Sequence, residues 1–260
     1  MIKQKLKSIL RGRIYNSSNF YDNLPTEAMP ALHMDHEENF YVHIHLPKTG
    51  GSTFNSSLEK NFGECFEAFQ GRFIHFYPIL STEKMLGFIK KHPGIKAVAS
   101  HNFNAKLPYR NNYKNVISIA FIRNPVDKFF SFYFHMRHRH GVSCIQKEML
   151  LGDYINYHYG NLNKGKLSGY LNQLVGSENQ YSFEYLKSLV ERGNLILFNT
   201  DYMENAMTCL HTKFPKDFYD LNILRENISL KDQNVCDEHR SKVQAMISDY
   251  DWKLLELTLI

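Results

Sequence analysis

Four short apolar runs, at residues 40–46, 95–100, 116–122 and 194–198, constrain this chain more than any other feature. They are rich in Val, Ile and Phe and mostly lack polar alternation, the pattern of strands buried on both faces. Helical periodicity fills the intervals, at residues 53–61, 82–91, 125–139, 164–175, 182–191 and 202–213, and the tail 231–257 reads as mostly helical. Strands alternating with helices predict a three-layer α/β fold with a central, mainly parallel sheet and right-handed crossovers. In such sheets ligands bind beyond the carboxyl ends of the strands. The residues that follow Leu46, Ser100 and Ile122 are therefore the ones to inspect.

Composition fits that picture. A chain of 260 residues with 43% hydrophobic and 14% aromatic side chains can bury a large core within one domain. The longest apolar stretch is strand-sized, so no membrane span is expected. The net charge of +5 is concentrated at the start, in Lys3, Lys5, Lys7, Arg11 and Arg13. Residues 1–39 read as a basic arm and lead-in, and residues 40–260 as the functional domain. The arm is expected to be solvated, with weak contact to a membrane surface as the alternative. Cys65, Cys144, Cys209 and Cys236 form no CxxC pair, so zinc is not expected. Glycosylation sequons occur at Asn16, Asn55 and Asn227. Asn55 is expected at a buried helix start, where a glycan would block the site, and this favours a cytoplasmic location.

The first strand end reads His45-Leu46-Pro47-Lys48-Thr49-Gly50-Gly51-Ser52-Thr53-Phe54. Pro47 stops the strand, the glycines permit a tight turn, and Ser52 or Thr53 is expected to cap the helix. Backbone N–H groups of residues 50–53 would converge with the helix dipole on one anion, assisted by Lys48 and the hydroxyls of Thr49, Ser52 and Thr53. This is not the Walker A order, because the lysine precedes the glycines. The third strand ends in Phe121-Ile122-Arg123-Asn124-Pro125, with Ser131 about two helical turns beyond Arg123. An Arg fork and a hydroxyl suit a terminal phosphate monoester.

The run from Pro47 to Thr53 resembles the 5′-phosphosulfate loop of sulfotransferases. It is especially similar to the loop of the branch that includes heparan and chondroitin sulfate O-sulfotransferases. Arg123 and Ser131 match that family's second motif, which holds the 3′-phosphate of the cofactor. Lys128 stands where an arginine is expected. The resemblance covers roughly residues 40–257, with the two cofactor motifs as its specific part. It implies that 3′-phosphoadenosine 5′-phosphosulfate (PAPS) is the co-substrate and that a carbohydrate hydroxyl is the acceptor.

Sulfuryl transfer needs a base for the acceptor proton and a cation near the departing phosphate oxygen. Lys48 is the expected cation. His101, after the second of the four runs, is the expected base; the resembling enzymes often place a histidine there, and imidazole titrates in the right range. His45 is expected to support the loop from within its strand. His135, His138 and His140, with Arg137 and Arg139, read first as a solvated helix end, then as a basic rim that draws an anionic acceptor, and only last as a metal site. Lys106, Tyr109 and Arg110 are weaker candidates for acceptor contacts. Neither a metal nor a nucleic-acid partner is expected. The alternatives are a nucleotide-dependent phosphotransferase, with Asp201 as the candidate Mg²⁺ carboxylate, and a polyanion-binding protein.

Overall fold

A computed structural model describes residues 39–69, 91–92, 94–106, 115–138, 149–161, 169–175, 179–223 and 233–259. The strands are β1 (Asn39–Ile44), β2 (Phe66–Phe69), β3 (Ala97–Ser100), β4 (Asn115–Ile122) and β5 (Leu195–Asn199). The helices are α1 (Gly51–Phe62), α2 (Pro125–His138), α3 (Leu151–Asn161), α4 (Tyr170–Val175), α5 (Gln180–Glu191), α6 (Met203–Lys213), α7 (Gln233–Gln244) and α8 (Asp249–Glu256). The strands form one sheet in the order β2-β3-β1-β4-β5, and every pairing is parallel.

The two faces of β1 explain the layers. Phe40, Val42 and Ile44 point to one side and share a buried cluster with Tyr170, Leu171 and Leu174 of α4, Phe183 and Leu186 of α5, and Leu254 of α8. Tyr41 points to the other and packs with Phe54 and Leu58 of α1 and with Met207 and Leu210 of α6. Helices therefore cover both faces, and near-continuous apolar strands are the consequence. A third cluster joins α2, α3 and α7 through Phe130, Tyr133, Ile155 and Val243.

The four expected strands are all present, and the three-layer parallel architecture is the expected one. Two elements are additional. β2 pairs with β3 at one side of the sheet, and α3 packs against α2 and α7. The expected helix at residues 82–91 falls almost entirely outside the described residues. The tail divides into α7 and α8, the second capped by Ser248, whose side chain accepts from Tyr250 N. Among the described residues no helix is long and apolar enough to cross a membrane. The arm at residues 1–38 lies outside them, as do Tyr109, Arg110, Cys144, Asn16 and Asn227. Cys65, Cys209 and Cys236 form no disulfide with one another.

Chain direction now fixes where a ligand can sit. From β1 the chain runs to β2 and β3, then passes back to β4 and on to β5. Connections thus diverge on either side of the β1–β4 pair, and the rule for open parallel sheets points to the region beyond its carboxyl end as the place for a ligand.

Candidate functional site

The loop after β1 is tightly determined. His45 N donates to Ser100 O at 3.0 Å, continuing the β1–β3 pairing by one residue. Lys48 and Gly50 both adopt positive φ, 65° and 73°, on either side of Thr49. Thr49 is fully buried, and its Oγ1 donates to Leu46 O at 2.9 Å. From the far side, the Thr200 hydroxyl lies 3.1 Å from Thr49 O and 3.2 Å from Ile122 O. The residue after β5 therefore ties the loop to the end of β4.

The helix start differs from the sequence expectation. α1 begins at Gly51, its N-cap is the left-handed Gly50, and no side chain caps it. The first intrahelical bond runs from Phe54 N to Gly50 O. Ser52 and Thr53 lie inside the first turn, past the N-cap position that Gly50 occupies, and do not cap it. The uncapped first turn, with the positive end of its dipole, follows the two positive-φ residues at the β1 end, a geometry suited to an anion.

Gly51 also has a packing reason. A Cβ there would lie 2.0 Å from His45 Cδ2 and 2.2 Å from His45 Nε2, so the His45 ring occupies the space of a side chain. His45 is buried at 6% exposure, and its ring stacks on His101 with centroids 4.0 Å apart. His101 Nδ1 lies 2.6 Å from His45 O. A carbonyl can only accept, so Nδ1 carries the proton and Nε2 is the basic nitrogen. His101 keeps a solvent-exposed edge while its ring packs on protein, and desolvation holds its pKa below the usual imidazole value, opposed by the bond to His45 O. Desolvation lowers His45 as well, and lowers His43 to about 4.

Arg123 occupies the end of β4. Tyr170 of α4 brackets its backbone: Arg123 N donates to Tyr170 Oη at 3.1 Å, and the Tyr170 hydroxyl donates to Arg123 O at 2.8 Å. Arg123 Nε is buried and has no hydrogen-bond partner among the described residues. Asn124 caps α2 through Oδ1, which accepts from Val126 N and Asp127 N, and Pro125 follows as the first helical residue. Ser131 is buried in the second turn, at 2% exposure. Lys128 does not reproduce an arginine fork. Its Nζ lies 3.7 Å above the Tyr170 ring and donates to Gln173 Oε1, and desolvation lowers its pKa to about 8.

The structure thus brings Lys48–Thr53, His101 and Arg123 to neighbouring strand ends on one edge of the sheet. Lys106 is exposed beyond β3, and Asp201 is exposed with its N–H donating to Asn199 Oδ1. His135 is half-buried in α2. Among the described residues no group of three His, Cys, Asp or Glu side chains is placed to hold a metal. Asn55 is buried and bonded to His43 at 2.6 Å, out of reach of glycosylation in the folded chain. Two contributors were missed by sequence reading. Thr200 follows a predicted strand, a place where the same strand-end rule applies. Tyr170 sits within a predicted helix and carries no local signal.

No family model matches this sequence, and no curated protein matches it significantly. Among solved structures, mouse sulfotransferase SULT7A1 complexed with PAP aligns over 92% of this chain and 73% of its own, with 15% identity and a TM-score of 0.43. The architecture rests on the strand pairings and loop geometry of the chain itself.

Proposed function

We propose that the chain is a sulfotransferase that moves a sulfuryl group from PAPS to a hydroxyl of a carbohydrate acceptor. The observation that carries this reading is the convergence of an uncapped helix N-terminus with a histidine whose basic nitrogen is fixed by a backbone bond, on adjacent ends of a parallel sheet. Resemblance of the Pro47–Thr53 run to the heparan and chondroitin sulfate O-sulfotransferase loop supports the choice of donor and acceptor.

The donor supplies the sulfuryl group, whose bond to the 5′-phosphate oxygen breaks as the bond from sulfur to the acceptor oxygen forms. Lys48, Thr49, Gly50, Gly51, Ser52 and Thr53 hold the 5′ anion through backbone N–H groups and the helix dipole. Lys48 adds positive charge where the leaving phosphate develops its own. Arg123 and Ser131 hold the 3′-phosphate, giving the buried Arg123 Nε an acceptor. His101 Nε2 takes the acceptor proton.

Calorimetry with 3′-phosphoadenosine 5′-phosphate (PAP), adenosine 5′-phosphate and ATP tests the reading. PAP should bind more tightly than either competitor. Arg123→Ala should weaken PAP by about 1.5–3 kcal/mol, the range for a hydrogen bond to a charged group, and leave adenosine 5′-phosphate nearly unchanged. Preference for ATP would favour a phosphotransferase. Equal weakening of both adenosine ligands would remove Arg123 from the 3′ site.

A further inference from the structure

β1 carries His43, and His45 follows its last residue in the same alternation, so both rings lie on the face covered by α1. The parallel register pairs Ile44 with Ser100. The next residues, His45 and His101, are consequently neighbours across the strand ends. A column of three imidazoles results: His43 to His45 at 5.1 Å, interplanar 17°, and His45 to His101 at 4.0 Å, interplanar 28°. Each end is anchored. His43 Nδ1–H donates to Asn55 Oδ1 in α1, and His101 Nδ1–H donates to the His45 carbonyl. The middle ring is wedged between His101 and the first residue of α1, where Gly51 leaves it room.

We infer that His45 is a positioning residue for the reaction: its ring and carbonyl together hold His101 in the orientation and tautomer that present Nε2 to the acceptor, and couple that orientation to the start of the phosphate loop. This deepens the proposed function and rests on it. A fixed carbonyl selects the nitrogen that carries the proton. A carbonyl alone leaves the imidazole free to swing about the hydrogen bond, however, and the stacked ring removes that freedom. The same ring touches Gly51, so the base is registered against the element that would hold the donor's 5′ anion. Burial favours the uncharged forms of all three rings, which avoids like charges at stacking distance.

Nitrogen-15 NMR of the full chain reads the His101 tautomer directly, its signal being assigned by loss in His101→Gln. The parent should show the Nδ1–H form. His45→Ala should give a mixed or Nε2–H signal and lower kcat about 10-fold to 100-fold, the scale of a small misplacement of a reacting group. KM for PAPS should stay within about threefold, because the loop backbone remains. His45→Phe, which restores a flat ring, should recover most of the loss. Gly51→Ala drives a methyl into the His45 ring while leaving all three histidines in place, and should disturb the same signal even if His45→Ala does not fold. An unchanged Nδ1–H signal in both His45→Ala and Gly51→Ala overturns the positioning role and leaves the base reading standing. Unchanged turnover in His101→Gln overturns the base, and the role of the column in catalysis with it.

Discussion

Lys48 holds a left-handed backbone conformation, φ 65°, that costs an L-residue about 1–2 kcal/mol. It persists because its neighbours are fixed: Thr49 is tied to Leu46 on one side and to Thr200 on the other. The strain and the charge belong to one residue, but substitution separates them. Lys48→Gly removes both the cation and the strain, whereas Lys48→Ala removes only the cation. Glycine also has more freedom to lose on folding, roughly 0.5–1 kcal/mol. The glycine variant should therefore be the more stable of the two by up to about 1 kcal/mol in urea unfolding. Turnover should fall alike in both. Greater stability in the alanine variant would mean that the loop does not hold this conformation in solution.

Where elements meet, the β5 end decides how firmly the loop between β1 and α1 is held. Thr200 is a single hydroxyl shared between carbonyls of the β1–α1 loop and of β4. Thr200→Val keeps the shape and leaves both carbonyls short of a donor. It should cost about 1–3 kcal/mol, the penalty for an unsatisfied buried polar group, and should weaken PAP binding as the loop loosens. Unfolding midpoints and calorimetry would check both effects; PAP binding unaltered in a destabilised variant would limit Thr200 to a structural role. The sequence made the strand ends legible because their apolar runs are unbroken by polar alternation and bounded by Pro, Gly or Asn. β2 was not legible: its four residues include Glu67, and pairing with β3, not its own pattern, makes it a strand. α3 was hidden for a related reason. Its residues, Gly152, Asp153, Tyr154 and Asn156 among them, are poor helix formers, and packing of Leu151, Tyr154 and Ile155 against α2 and α7 makes the helix. At the site, Lys48–Thr53, Arg123 and His101 could be named from type and place. The Tyr170 bracket and the histidine column could not, since each depends on a register or a fold-back that no local window contains.

For the molecule as a whole, the histidine column places titration at the junction of three elements, α1, β1 and β3. His43, His45 and His101 all have folded-state pKa values below the ordinary imidazole value, each chiefly through desolvation. The unfolded chain then binds more protons than the folded one at pH values between the two. Stability contributed by these groups is complete above about pH 6.5, the unfolded imidazole value. It is lost as pH falls from there toward the folded values, which for His43 is about 4. Through that window the lowered His43 pKa should contribute on the order of 3 kcal/mol, at roughly 1.4 kcal/mol per pKa unit. Total stabilities of about 5–15 kcal/mol are usual, so this is a large share. Carboxylates begin to titrate near pH 4, which leaves the interval from 6.5 to 5 chiefly to histidine. Urea unfolding at pH 8, 6.5 and 5 should show little change over the first step and a marked loss over the second. His43→Gln retains an amide toward Asn55 and cannot take the proton, so the loss over that second step should shrink by up to about 1.4 kcal/mol per pH unit. Stability that stays level from pH 8 to pH 5 in the parent would mean that the folded column accepts protons as readily as the unfolded chain. The rings would then be far better solvated than their packing against Gly51, Phe54 and Asn55 allows.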